Sequence, residues 1–162
     1  DKNKREQKYV ETYITECVRR FSDDINVEGP YTTYAADLQH LRSDIRFSMN
    51  DTALIGNVVD ALHPTPAVCG IPKDETRRFI IDNESQPRGY YSGFAGPFNP
   101  NGDTHLFVTL RCMHIESEAK DSAVYRLFAG GGLLADSTEQ DEWNETEAKM
   151  NTIRKLFDYV QQ

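Results

Sequence analysis

Residues 89–115 read Gly89-Tyr90-Tyr91-Ser92-Gly93-Phe94-Ala95, Gly96-Pro97-Phe98, Asn99-Pro100-Asn101-Gly102-Asp103, Thr104 and His105-Leu106-Phe107-Val108-Thr109-Leu110-Arg111-Cys112-Met113-His114-Ile115. Two runs rich in aromatic and β-branched residues flank a cluster of turn formers. Asn and Gly tolerate positive φ, so residues 99–103 predict a turn. The runs at 89–95 and 105–115 then predict an antiparallel hairpin, and residues 124–129 a further strand.

Outward from this hairpin the period changes. Val10, Tyr13, Ile14, Cys17, Val18 and Phe21 fall on one helical face, which predicts an amphipathic helix over residues 4–22. Residues 31–49 carry Tyr31, Thr32, Thr33, Tyr34, Ile45 and Phe47 and predict one or two strands. Asn50-Asp51-Thr52 supplies cap chemistry for a short helix through Leu62, which His63-Pro64-Thr65-Pro66 ends, because proline disfavours helix in the residue before it. Pro72 suits the first position of a second helix through Ile81, and residues 138–160 return to helical periodicity. Helices flanking antiparallel strands predict the α+β class.

The chain has 162 residues, enough for one domain or a large piece of one. Hydrophobic types make up 38% and charged types 27%, so a core is possible. Acidic residues number 26 against 18 basic, a net charge of -8, and an acidic surface repels phosphate backbones. Nucleic acid is therefore not the expected partner. No stretch approaches the roughly 18 apolar residues that span a bilayer, so no membrane partner is expected either. Cys17, Cys69 and Cys112 are an odd number without paired spacing, which reads as reduced thiols and predicts a cytoplasmic location. The chain begins Asp1-Lys2-Asn3-Lys4-Arg5-Glu6, already inside a helical pattern, so residues 1–162 are expected to be a fragment of something longer.

The last helix carries the most chemistry. At about 100° per residue, Glu142, Glu145, Lys149, Ile153, Leu156 and Val160 lie within an arc of about 80°. Two readings stand: a solvated first turn in which carboxylates favour the helix dipole, or a hard-cation site facing a cleft. Glu6 sits at the edge of the first helix's apolar arc and reads as a surface glutamate or as a further ligand. Ala129-Gly130-Gly131-Gly132 follows a predicted strand, as a flexible turn or as a loop offering N–H groups to an anion. Arg111 is either a strand-end charge or a fork for a carboxylate. Tyr91 by itself reads as a core tyrosine and His63 as a helix-ending polar residue.

Together these segments resemble the chorismate-utilising enzymes. The resemblance is carried by Leu62-His63-Pro64-Thr65-Pro66-Ala67-Val68-Cys69-Gly70, Arg88-Gly89-Tyr90-Tyr91-Ser92-Gly93, Leu110-Arg111, Ala129-Gly130-Gly131-Gly132 and Glu142-Trp143-Asn144-Glu145-Thr146-Glu147-Ala148-Lys149, in the family's order. Pro66-Ala67, where aminating members usually carry Gly-Thr, makes the chain most similar to the isochorismate synthases, with water rather than ammonia as nucleophile. The alternatives within the resemblance are a salicylate synthase, an aminating chorismate enzyme, or a non-catalytic binding module that retains the fold.

The resemblance implies a parent fold of antiparallel sheets in a sandwich flanked by helices, this chain being its C-terminal part. It implies an isomerase that converts chorismate to isochorismate, with magnesium as cofactor, in menaquinone or siderophore biosynthesis. Glu6 and Glu145 match metal-binding glutamates, and Glu142 matches a nearby carboxylate acting through water. Tyr91 and Arg111 match residues that hold the enolpyruvyl carboxylate. Gly130, Gly132 and Lys149 match the lining around the ring carboxylate, and His63 a histidine beside the pocket. The family's general base, a lysine, and its general acid, a glutamate, precede the segment that Glu6 matches. A catalytic acid–base pair is thus not expected within residues 1–162, and the chain alone is expected to be inactive.

Overall fold

The computed structural model describes residues 2–35, 38–99, 101–119 and 122–158. They fall into two units, Asp1–Asp82 and Asn83–Gln162.

In the first unit, helix α1 spans Lys2–Val18 and is followed by a hairpin of β1 (Ile25–Ala35) and β2 (Leu38–Phe47). The region read as one or two strands is thus two, and the first begins earlier than its β-branched residues suggested. The ladder runs from Ile25 opposite Phe47 to Ala35 opposite Leu38, with a shift of register between Glu28 and Tyr31. Gly29 and Pro30 occupy that shift. Proline has no N–H for a ladder, and Gly29 at φ 113° adopts a conformation that side chains disfavour.

Asp51 caps the next segment by accepting from the Ala53 N–H at 2.9 Å. A 3₁₀ turn over Thr52–Leu54 then leads into α2 (Ile55–Leu62), which His63 closes, and α3 covers Lys73–Asn83. The apolar face of α1 is where its spacing put it. Val18 is fully buried, Val58 of α2 and Val68 join it in the core, and Val10, Tyr13, Ile14 and Cys17 are half-buried.

The last carbonyls of α2 have no partner within the helix and draw on its neighbours. The Ala61 carbonyl accepts from the Tyr13 hydroxyl at 3.4 Å and Lys73 Nζ at 3.3 Å, and the His63 carbonyl accepts from Lys73 at 2.6 Å. Lys73 thereby sets a cation on the negative end of α2 and fixes the backbone at His63.

Glu11 is buried on the same face as Val18, a place for which sequence alone offers no reading. Its carboxylate accepts from Lys8 at 2.7 Å and from the Ser43 hydroxyl at 2.8 Å, while Gln7 donates to Ser43 at 3.1 Å. These bonds hold the carboxyl below its ordinary pKa and pin α1 to β2.

In the second unit Asn99, Asn101 and Gly102 of the predicted turn over 99–103 make its hydrogen bonds, while Pro100 lies outside the described residues. The Asn99 side chain accepts from the Asn101 N–H at 3.1 Å, and the Asn99 carbonyl accepts from Gly102 at 3.2 Å. Its hairpin is shorter than expected: β3 is Phe94–Ala95 and β4 Phe107–Val108. The reason is local. Tyr91 N–H closes a tight turn on the Arg88 carbonyl at 2.9 Å, and Ser92 sits at φ 60°, so residues 89–93 turn instead of extending.

Strands β5 (Cys112–Ala119) and β6 (Ser122–Phe128) form a second antiparallel ladder that starts with Cys112 opposite Phe128. Helix α4 covers Glu139–Asp158. Thr138 opens α4 with reciprocal capping: its hydroxyl accepts from the Asp141 N–H at 3.3 Å and donates to the Asp141 carboxylate at 2.6 Å.

The expected α4 stripe is only partly covered. Ile153 is half-buried, whereas Leu156 is 61% exposed and Phe157, beside it, makes the contact, meeting Tyr125 of β6 edge-on at 5.1 Å. Val160, the last residue of that stripe, lies outside the described residues. The α+β class with antiparallel sheets is what the structure shows, as three two-stranded ladders among the described residues.

Candidate functional site

The glycine-rich run Gly130-Gly131-Gly132 leaves the end of β6 and faces the first turns of α4. Lys149 Nζ donates to the Gly130 carbonyl at 3.0 Å and pairs with Glu145 Oε1 at 2.6 Å. On the other side of Gly130 stands Tyr91, whose hydroxyl occupies the place that a Cβ at residue 130 would take. Phe128, two residues before Gly130, stacks on the Tyr91 ring at 5.8 Å.

Gly131 faces the acidic side. A Cβ there would lie 3.1 Å from Glu142 Oε2 and 3.9 Å from both Glu145 Oε1 and Lys149 Nζ. The two glycines thus lack side chains where a phenol, an ammonium and two carboxylates approach the backbone. The helical spacing of α4 brings Glu142, Glu145 and Lys149 to one side, as their arc required.

A cavity of about 490 Å³ opens beside Gly131 and Glu142, with Leu134, Trp143 and Thr146 in its wall. That volume suits a small organic molecule. Of the predicted residues, the structure brings together Tyr91, Gly130, Glu142, Glu145 and Lys149. Gly132 is exposed next to them. Arg111 is half-buried and immediately precedes Cys112, the residue opposite Phe128, so it marks the ladder end from which Gly130 emerges.

His63 and Glu6 belong to the first unit. His63 is half-buried at the end of α2, and Glu6 is half-buried on α1. Burial, then the Lys73 and Arg77 cations, push the His63 imidazole below its ordinary pKa, which favours the neutral ring.

Electrostatics around Tyr91 are mixed. Burial raises the phenol's pKa, the Arg88 cation opposes that, and Glu84 and Cys112 add to it. The phenol remains a neutral donor at physiological pH. Burial likewise raises the Cys112 thiol, which makes it a poor nucleophile.

Glu142 and Glu145 offer hard oxygen donors that suit magnesium. Among the described residues no group of three or more His, Cys, Asp and Glu side chains forms a metal cluster. A cation here would take these two carboxylates and complete its shell with other oxygens, as magnesium commonly does.

Sequence reasoning missed two parts of this corner. Gly131, not only its neighbours, faces the carboxylates. Arg88, part of a motif but given no role of its own, lies 5.4 Å from the centre of the Tyr91 ring.

The sequence profile of the family described as Chorismate binding enzyme matches residues 1–158. Isochorismate synthase DhbC of Bacillus subtilis (strain 168) is 35% identical over 158 residues, covering 96% of this chain and 38% of that protein. The vibriobactin-specific isochorismate synthase of Vibrio cholerae serotype O1 is 37% identical over 115 residues, 70% of this chain and 28% of its own length.

Among solved structures, MenF of Escherichia coli, described as the menaquinone-specific isochorismate synthase, superposes with a TM-score of 0.79 at 30% identity, over 96% of this chain and 35% of that one. A protein of Bacillus anthracis described as a 2,3-dihydroxybenzoate-specific isochorismate synthase, DhbC, also reaches 0.79, at 28% identity over 95% of this chain and 40% of its own. The chain spans about two fifths or less of the length of these relatives. With a profile match over nearly its whole length and a fold shared with two solved members, the chain belongs to the chorismate binding enzyme family.

Proposed function

We propose that this chain supplies the substrate- and cation-binding part of an isochorismate synthase, a magnesium-dependent isomerase that converts chorismate to isochorismate by water addition and loss of the ring hydroxyl. One observation carries the reading: the Tyr91 hydroxyl, the Lys149 ammonium and the Glu142 and Glu145 carboxylates converge on Gly130 and Gly131. Pro66-Ala67 in place of an aminating member's Gly-Thr supports water as nucleophile, as do relatives named isochorismate synthases.

Chorismate is a dianion with two carboxylates, and each needs donors or a cation. The Tyr91 phenol donates to the enolpyruvyl carboxylate beside the Arg111 fork. Backbone N–H groups of the glycine run and Lys149 face the ring carboxylate. The family resemblance alone gives His63 a place beside the substrate; within its own unit Lys73 fixes its backbone and burial favours the neutral ring.

Glu142 and Glu145 would hold the magnesium ion, and the family resemblance alone gives Glu6 a ligand's role. When bound, the ion would neutralise a substrate carboxylate and fix the orientation of the ring. The lysine base and glutamic acid that move the protons come from a segment preceding Asp1 in the intact enzyme. Two features of the described residues support a binding part that is completed by more polypeptide: few buried apolar side chains, and exposed Phe94, Phe98 and Phe107 in the second unit.

The test is incubation of the intact enzyme with chorismate and magnesium, with products separated by chromatography. Isochorismate should accumulate. Salicylate with pyruvate, an aminated product in the presence of ammonia, or no conversion would each overturn the assignment.

A further inference from the structure

We infer that Arg88 is a positioning residue of this site: with Glu84 and Ser92 it holds the Tyr91 ring against the end of β6 at Gly130, and so sets where the phenol meets a substrate carboxylate. The inference deepens the function proposed above and rests on it.

Arg88 uses every side of its guanidinium. Nε donates to Glu84 Oε2 at 2.7 Å and Nη2 to Glu84 Oε1 at 2.5 Å, a two-point fork. Nη1 donates to the Ser92 hydroxyl at 3.1 Å. The same cation lies 5.4 Å from the centre of the Tyr91 ring. Residues 84–88 lie outside α3, so the Glu84 pair is not a routine contact along a helix face.

The turn it braces needs bracing. Ser92 sits at φ 60°, a conformation that costs a non-glycine residue energy. Thr109 of the partner segment holds the far side: its hydroxyl donates to the Tyr90 carbonyl, its N–H donates to the Gly93 carbonyl at 2.9 Å, and its carbonyl accepts from the Ser92 N–H at 2.9 Å. Thr109 fixes the backbone on each side of Tyr91, Phe128 stacks on the ring, and Arg88 is the cation on that ring. The hydroxyl is thereby left beside Gly130, the residue whose carbonyl Lys149 binds.

A lysine at residue 88 could still pair with Glu84. It has neither the plane that lies on a ring nor the donors to reach Glu84 and Ser92 together. The substitution therefore separates a simple ion pair from a ring-positioning role.

The experiment is a double-mutant cycle in the intact enzyme with Arg88→Lys, Tyr91→Phe and the pair, reading KM and kcat for chorismate, melting temperature and urea unfolding. Arg88→Lys should raise KM on the order of tenfold, the scale of a lost cation–ring contact, with a smaller change in kcat. Added to Tyr91→Phe it should raise KM little further. Glu84→Gln, a milder change, should shift KM in the same direction and lose its effect when combined with Tyr91→Phe.

Equal KM factors in both backgrounds, or a lowered melting temperature with KM unchanged, would overturn the positioning role. Absence of chorismate turnover in the wild type would overturn the proposed function and this role in it. A separate unfolding cycle with Arg88→Lys and Tyr91→Leu, which removes the ring, then reads the contact itself: coupling between residues 88 and 91 sustains the contact, and strict additivity removes it too.

Discussion

Replacing Gly130 by alanine adds one methyl group at the tightest point of the site. The added Cβ would overlap the Tyr91 hydroxyl, while the next atom of that ring, Cζ, is 3.6 Å away, an ordinary contact distance. Gly130 is not in the left-handed region, so the clash, and not backbone strain, sets the cost. Overpacking of this kind costs about 1–3 kcal/mol. The ring has little room to yield, because Phe128 stacks on it and Arg88 lies over it. Tyr91→Phe deletes the overlapping oxygen and leaves the Cζ contact. Gly130→Ala should therefore destabilise the intact enzyme by about 1–3 kcal/mol while Tyr91 is in place. In the Tyr91→Phe background its cost should fall to about 0.5 kcal/mol or less, the range of substitutions that meet no special feature. Urea unfolding of the four proteins, followed by circular dichroism, measures both numbers. An equal cost in the two backgrounds would refute the placement of the phenol against Gly130.

Other expectations follow from the same geometry. Glu145 pairs with Lys149 in a partly exposed setting (44% and 23% side-chain exposure), where ion pairs contribute about 0–1 kcal/mol, so Glu145→Gln should cost little stability yet abolish magnesium-dependent turnover. An unchanged magnesium titration of activity would leave Glu145 as a helix-dipole residue. Arg111→Lys should raise KM with little change in melting temperature, because an ammonium cannot fork onto a carboxylate; the reverse pattern would make Arg111 a structural strand-end residue. The His63 imidazole has a folded pKa below its unfolded value of about 6.5, so the folded state binds fewer protons there. Stability should fall as the pH drops from about 6.5 toward the folded pKa, and His63→Gln should flatten that stretch in urea unfolding; an identical slope in the variant would show that other groups cause it.

Much of the architecture was legible wherever a local rule acted alone. The α1 stripe predicted which face buries Val18, and Asp51 and Thr138 mark helix starts through their own side-chain bonds. The turn at 99–103 follows from Asn99 and Gly102 chemistry. Readings went astray where distant residues decide. Residues 89–93 look like strand, but Thr109 and Arg88 hold them in a turn. Glu11 has no reading from sequence, and its burial follows from Ser43 of β2 beside it. The same contrast governs the site. Glu142, Glu145 and Lys149 share a helix face and could be grouped from spacing, and the family resemblance supplied Tyr91 and Gly130. Arg88 and Gly131 act through contacts made only once β6, α4 and the Tyr91 turn meet.

The central claim is that the intact enzyme adds water to chorismate at this site. Running the reaction in ¹⁸O-labelled water with magnesium and analysing the product by mass spectrometry tests it most directly. The account predicts isochorismate that is heavier by one labelled oxygen, because solvent supplies the incoming hydroxyl and the original ring hydroxyl departs. Isochorismate without label, or a product carrying nitrogen when ammonia is present, would contradict it.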